Sequence, residues 1–209
     1  MENINKTIWI TWIQGWDNAP EISHYCLKSW KYYNPDWNII QLDYKKTKKY
    51  FDVDKHLPGL NTNNISFSDI LRLHLLKFYG GVWVDATLFC NKSLNTWIHD
   101  INDSFVFTRH DRVLANWFIA AKPNSYILDI WYKGMINFWK YRIKNTDQFE
   151  QQYGWPHEIF RQNYRNDVKF KNIVNSWDKI DCTSDGESRG SGPHLFAPYV
   201  KYFYNPISN

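Results

Sequence analysis

Two aspartates, an arginine and a threonine lie close together in residues 67–90, FSDILRLHLLKFYGGVWVDATLFC, with a spacing that lets them meet. Asp69 and Arg72 stand one helical turn apart, and Asp85 and Thr87 share one face of a strand. A helix from Asp69 to Tyr79 is ~15 Å long at 1.5 Å per residue, and a strand folded back along it recovers ~13 Å in about four residues, the distance from Val82 to Asp85. The chain therefore returns to the end where the helix began. Two carboxylates, a guanidinium and a hydroxyl gathered beside a buried helix are costly to desolvate without a charged ligand. A plainer arrangement has the same spacing: an Asp at a helix cap, an Arg paired to it and an Asp at a strand end. Spacing alone favours neither.

The elements that must hold these groups are written around them. Ser68 is a good N-cap, Asp69 suits the positive end of the helix dipole, and Ile70, Leu71, Leu73, Leu75, Leu76 and Phe78 surround the axis, so the predicted helix is buried. Gly80 and Gly81 supply a left-handed cap and a tight turn, and Val82, Val84 and Ala86 then alternate with Trp83, Asp85 and Thr87 at strand period. Upstream, residues 7–13 are apolar on both faces, as in the strand of a covered parallel sheet. Gln14, Gly15 and Trp16 follow at its carboxyl end, where open α/β sheets bind ligands.

A crossover helix opens at Pro20, with Ile22, Tyr25, Cys26, Ser29, Trp30 and Tyr33 on one stripe, and Asn34-Pro35 stops it. A second strand spans residues 37–42 and ends at Asp43, suited to holding a ribose or to capping the basic turn 45–49. Residues 51–65 read as a loop. Further strands are predicted at 105–108 and 114–121, the second interrupted by Asn116, and a long helix at 124–143 with Ile127, Ile130, Trp131, Gly134, Phe138 and Tyr141 on one face. A short helix begins at Trp155-Pro156; His157 and Glu158, being adjacent on it, point in different directions and are read as scaffold. The pattern predicts an α/β fold with a mostly parallel central sheet flanked by helices.

The chain has 209 residues, 44% hydrophobic and 22% charged, which suits one domain with a sizeable core. Its formal charge of +4 is spread out and gives no concentrated nucleic-acid footprint, so nucleic acid is not an expected partner. Aromatic residues make up 19%, with twelve Trp, and such rings both fill cores and stack on sugars. Cys26, Cys90 and Cys182 are odd in number and lack CxxC spacing, consistent with reduced thiols of a cytoplasmic protein. Residues 2–6 are polar, so no signal peptide is expected, and no apolar span is long enough for a transmembrane helix. Membrane association is expected to be peripheral at most, with residues 131–141 the stretch considered for it.

The string SDILRLHLLKFYGGVWVDAT resembles the core signature of sugar transferases with a DXD motif in the GT-A superfamily. The resemblance is to glycosyltransferase family 32, to the glucosylating clostridial toxins and most closely to capsular polysaccharide synthesis proteins. Asp69 and Asp85 keep the family's sixteen-position spacing, and Thr87 stands where the second Asp of a DXD would be. The resemblance extends from Trp9 to Trp117 and more weakly to the tail. It implies a single Rossmann-like GT-A domain over residues 1–209; within it, the Gly- and Ser-rich composition of 183–194 predicts a flexible C-terminal loop that could act as a lid.

It also implies a metal-dependent transfer of a hexosyl unit from a nucleotide sugar, UDP-linked, to a surface glycan or capsular polysaccharide acceptor. Retention at the anomeric carbon is implied too, with the leaving phosphate taking the acceptor's proton. The implied catalytic residues are Asp69, Arg72 and Asp85. Asp69 and Arg72 would hold sugar hydroxyls, since a carboxylate and a guanidinium together read a polyol in both hydrogen-bonding directions. The implied substrate-binding set is Trp12, Gln14, Gly15, Asp69, Arg72, Gly81 and Asn116. Mn²⁺ or Mg²⁺ would be held by Asp85 with Thr87, and His194 would fill the vacancy left by the weak threonine ligand; a surface histidine is the plain alternative at 194. The missing second Asp keeps another class open, a catalytically inactive, lectin-like glycan-binding relative.

Overall fold

The computed structural model describes residues 4–98, 101–109, 113–145, 154–177 and 199–201. The chain opens as a β-α-β unit: strand β1 (Thr7–Thr11), helix α1 (Glu21–Tyr33) and strand β2 (Asn38–Leu42). β1 and β2 pair in parallel, in register from Thr7 opposite Asn38 to Thr11 opposite Leu42. Two short helices follow, α2 (Tyr44–Thr47) and α3 (Val53–His56), and then the long helix α4 (Asn64–Tyr79). Strand β3 (Gly81–Asp85) inserts on the other side of β1, also in parallel, with Asp85 opposite Thr11.

β4 (Leu88–Cys90), β5 (Ser104–Arg109), β6 (Val113–Ala121) and helices α5 (Tyr126–Lys144), α6 (Trp155–Asn166) and α7 (Val168–Asn175) complete the fold, with β7 (Tyr199–Lys201) antiparallel to β4. The main sheet has the order β2-β1-β3-β6-β5. β6 runs antiparallel to both β3 and β5, so four of the five strands point the same way and only β6 opposes them.

Side chains alternate across this sheet and give it two cores. Trp9, Trp83 and Ile119 pack with α4, α5, α6 and α7 on one face. Ile8, Ile10, Val82, Val84 and Phe118 pack with α1 and β4 on the other. Covering both faces explains why the middle residues of β1 and β3 are apolar on both sides. Ile70, Leu71, Leu73, Leu75 and Leu76 of α4 are all fully buried, as its apolar circumference predicts.

Several boundaries differ from expectation. α4 begins five residues before Asp69, because Asn63 is the N-cap: its side chain accepts from the Ser66 N–H at 2.8 Å. Ser68 and Asp69 therefore lie inside the helix, and Asp69 is not a cap. β1 stops at Thr11 rather than residue 13, after which Trp12 N–H donates to the Leu42 carbonyl. The expected loop 51–65 contains α3, capped by Asp52. α5 starts after Ser125, since Asn124 takes a left-handed φ of 59°.

The buried face of α5 is also broader and rotated: Leu128, Tyr132, Met135 and Trp139 are inside and Tyr141 is exposed. α4 and α6 pack on either flank of α5, and Gly134 permits the close approach of α6, where a Cβ would lie 2.6 Å from Ile159 Cγ2. α7 and β4 had no counterpart among the expected elements. The expected loop 183–194 and Cys182 lie outside the described residues.

Candidate active site

Asp69 and Arg72 project from one face of α4 toward the carboxyl end of β3, where Asp85 stands. A single Arg72 nitrogen, Nη2, bridges the two acids, 3.1 Å from Asp69 Oδ1 and 3.2 Å from Asp85 Oδ1. Its other terminal nitrogen donates to the Asn116 carbonyl on β6. The Asn116 side-chain amide in turn donates to Asp69 Oδ1 at 3.1 Å. Trp83 completes the cluster: its indole N–H donates to Asp85 Oδ1 at 3.0 Å, and the Arg72 guanidinium lies 5.1 Å from its ring centroid. The convergence predicted from helix and strand lengths is thus present, and so is the ion pair of the plainer arrangement.

Arg72 is 5% exposed and Asp69 9%. Burial drives the Asp69 carboxyl up to about 6; the Arg72 charge opposes this and the Asp85 charge adds to it. One guanidinium between two carboxylates leaves an excess negative charge when both are ionised. Arg72 Nε is buried with no hydrogen-bond partner among the described residues. The fork is engaged through its two terminal nitrogens, and the Trp83 ring lies beneath it.

In front of this cluster lies a cleft of about 220 Å³ lined by Thr11, Trp12, Ile13, Gln14, Asn64, Ile65, Ser68, Arg72, Trp83, Asp85, Ala86 and Thr87. It sits at the carboxyl ends of β1 and β3 and at the first turns of α4, the position at which open α/β sheets bind ligands. Of the expected residues, Trp12, Gln14, Arg72, Asp85 and Thr87 line it. Asp69 and Asn116 stand behind, reaching it through Arg72. Gly15 follows the Trp12 turn, with its N–H bonded to the Trp12 carbonyl at 3.0 Å and φ of 94°, but does not line the cleft. Gly81 does not either: a Cβ there would lie 2.5 Å from the Thr7 carbonyl, so its lack of a side chain lets β3 pair with β1. Asp43 caps α2, accepting from the Lys46 N–H at 2.7 Å. Glu158 pairs with Arg161 within α6 at 2.6 Å. His194 lies outside the described residues.

Residues 1–184 match the family of capsular polysaccharide synthesis proteins. The chain belongs to this family. Among its relatives, it is 26% identical over 160 residues to the O-glycosyltransferase braB of Annulohypoxylon truncatum, a match covering 65% of this chain and 38% of that one. It is likewise 26% identical over 158 residues to the probable glycosyltransferase FCK3 of Fusarium pseudograminearum, covering 66% and 40%. The chain spans about two-fifths of the length of these relatives. The solved PaToxG glycosyltransferase superposes with a TM-score of 0.58 at 18% identity, over 84% of this chain and 74% of that structure. The fold is that of the GT-A glycosyltransferases.

In this capsular polysaccharide synthesis protein Asp85 is the one carboxylate that lines the cleft, and Thr87 adds a hydroxyl two residues beyond it. Among the described residues no three His, Cys, Asp or Glu side chains are grouped to hold a metal ion. Oxygen donors in this small number fit a hard divalent cation that takes its remaining ligands from water or from a bound phosphate. Trp83 and the lining residues Asn64, Ile65 and Ser68 were not among the expected site residues. For Trp83 a signal existed in the sequence, a potential N–H donor two places before Asp85 on the same strand face. For Asn64 and Ile65 there was none once the helix was expected to start at Asp69.

Proposed function

We propose that this protein is a glycosyltransferase that moves a hexosyl unit from a nucleotide sugar, UDP-linked, to a hydroxyl of a glycan acceptor. The observation that carries the reading is the Asp69–Arg72–Asp85 cluster at the carboxyl end of the parallel strands, opening on a cleft that Trp12 and Gln14 also line. Trp12 offers an aromatic face to a base and Gln14 an amide able to pair with its edge. Arg72, which lines the cleft, donates to the sugar's hydroxyls, and Asp69 behind it orients the guanidinium. Asp85, with Thr87, would hold Mn²⁺ or Mg²⁺, which when bound neutralises charge on the leaving diphosphate. Transfer with retention is consistent with this cleft, since the leaving phosphate itself receives the acceptor's proton and no protein base is needed. Family membership supports a capsular polysaccharide acceptor.

Calorimetry tests the reading. UDP should bind much more tightly with Mn²⁺ than without it, and Asp85→Asn, which keeps the side-chain shape and removes its charge, should reduce binding to the metal-free level. If Asp85→Asn binds UDP and Mn²⁺ as the parent does, Asp85 is not the metal contact. Thr87 in place of a second carboxylate favours one other reading, a glycan-binding relative without transfer activity. Oligosaccharide binding in the absence of any nucleotide binding would select it. Screening nucleotide sugars for product release identifies the donor.

A further inference from the structure

Beside the cleft, the chain leaves β2 at its carboxyl end and runs along the sheet edge through Tyr44-Lys45-Lys46-Thr47-Lys48-Lys49. Four lysines within five residues carry as much charge as the whole chain's formal +4. All four are exposed. Asp43 reaches only Lys46, at 3.6 Å, and its other task is to cap α2. Asp52 is likewise engaged as the cap of α3. Lys48 lies over the Tyr44 ring and Lys49 over the Tyr50 ring, which spreads the ammonium groups along the edge rather than pairing them with acids.

Apolar groups stand within this basic strip at the cleft rim. Ile65, on the first turn of α4, is 64% exposed although it lines the cleft, and Tyr44 is 47% exposed. The two are linked through Ile13, which lines the cleft with Ile65 and whose carbonyl accepts from the Tyr44 N–H at 3.1 Å. An exposed isoleucine beside the tyrosine adds nothing to the binding of a hydrated polyanion. At a membrane surface they would enter the headgroup region while the lysines meet anionic lipid, the combination that peripheral binding requires.

We propose that the Tyr44–Lys49 edge with Ile65 is a docking surface for anionic membrane, holding the cleft mouth against the lipid so that membrane-borne acceptors are presented to it. The association is peripheral and reversible, since no helix among the described residues is long and apolar enough to cross a bilayer. It depends on salt, because exposed lysines act through a screened field. The proposal goes beyond the transfer reading and is measured without sugar transfer, so its failure would leave that reading standing.

Co-sedimentation of the purified chain with phosphatidylcholine vesicles, and with vesicles containing about one-third phosphatidylserine, provides the test. Binding at least tenfold tighter to the anionic vesicles at low salt, weakening as salt is raised, is the expected result. Lys45→Glu/Lys48→Glu should cut this binding at least tenfold while UDP affinity stays unchanged. Lys28→Glu/Lys31→Glu, which alters net charge equally on α1 across the sheet, should leave vesicle binding within twofold. Ile65→Ser should weaken it without changing its salt dependence. Equal loss in the two lysine pairs, equal binding to both vesicle types, or binding to an acidic polysaccharide with none to anionic vesicles would each overturn the proposal.

Discussion

Arg72 is the residue on which the site's charge balance depends. Its Nη2 serves two carboxylates at 3.1 and 3.2 Å, so removing it strands one buried acid and one partly buried acid. Breaking a buried ion pair from one side costs ~3 to 5 kcal/mol. Arg72→Ala is therefore expected to lower the thermal midpoint and abolish nucleotide-sugar binding together, as seen in circular dichroism melts beside calorimetry. An unchanged melt would mean that solvent or a rearranged Asp69 replaces the guanidinium. Trp83 offers a gentler probe, since Trp83→Phe keeps a ring under Arg72 and removes the N–H that orients Asp85. Outer-sphere donors of this kind are worth ~10- to 100-fold in metal affinity. A loss of that size in Mn²⁺-dependent UDP binding, with metal-free UDP binding unchanged, is expected; an equal loss in both would assign Trp83 to packing alone.

At the scale of elements, α4 is held to its neighbours by polar groups as well as by leucines. His74, on α4 and 4% exposed, approaches the Tyr132 hydroxyl of α5 at 3.1 Å and the Tyr50 carbonyl at 3.1 Å. Tyr132 in turn lies 3.2 Å from His56 Nδ1 at the end of α3. Burial, with a smaller contribution from His56, holds the His74 imidazole down at about 3. Against ~6.5 in the unfolded chain, this neutral histidine contributes stability that is present above pH 6.5 and is lost as pH falls toward 3. Asp69 has the opposite sign: with a folded value of about 6 against ~3.9 unfolded, its contribution is full below pH 4 and lost as pH rises through 6. His74→Gln is expected to flatten the acid limb of a stability profile between pH 6.5 and 3. It should cost ~1 to 3 kcal/mol at neutral pH if the amide cannot satisfy both partners. An acid limb identical to the parent's would place the pH dependence elsewhere.

Over the whole molecule, the sheet separates two cores, and the thiols report on one of them. Cys26 and Cys90 are fully buried on the α1 side of the sheet. Burial pushes the Cys90 thiol up to about 11, leaving very little thiolate to react at neutral pH. Alkylation followed by peptide mass spectrometry should label neither Cys26 nor Cys90 in the native chain, and both at a rate that follows global unfolding. Labelling of Cys90 without Cys26 would instead report local opening of the β4 edge.

The meeting of Asp69, Arg72 and Asp85 followed from the sequence because rise per residue is nearly constant in helices and strands. An apolar helix, two glycines and an alternating strand leave few ways to fold back. The buried character of α4 and the parallel β1–β2 unit were legible for the same local reason, a hydrophobic period together with its stop signals. The start of α4 was harder to read because Asn63 and Ser68 are both competent caps, and the burial of Ser66 and Phe67 in tertiary packing favours the earlier one. The rotated face of α5 likewise depended on two packed neighbours, which periodicity in one segment does not encode. The antiparallel register of β6 brings Asn116 to Asp69 and Arg72 across 47 and 44 residues. That long-range pairing, together with Trp83 beneath the guanidinium, turned two spaced acids and an arginine into one bonded cluster, because sequence spacing sets reach along an element and only packing sets distances between elements.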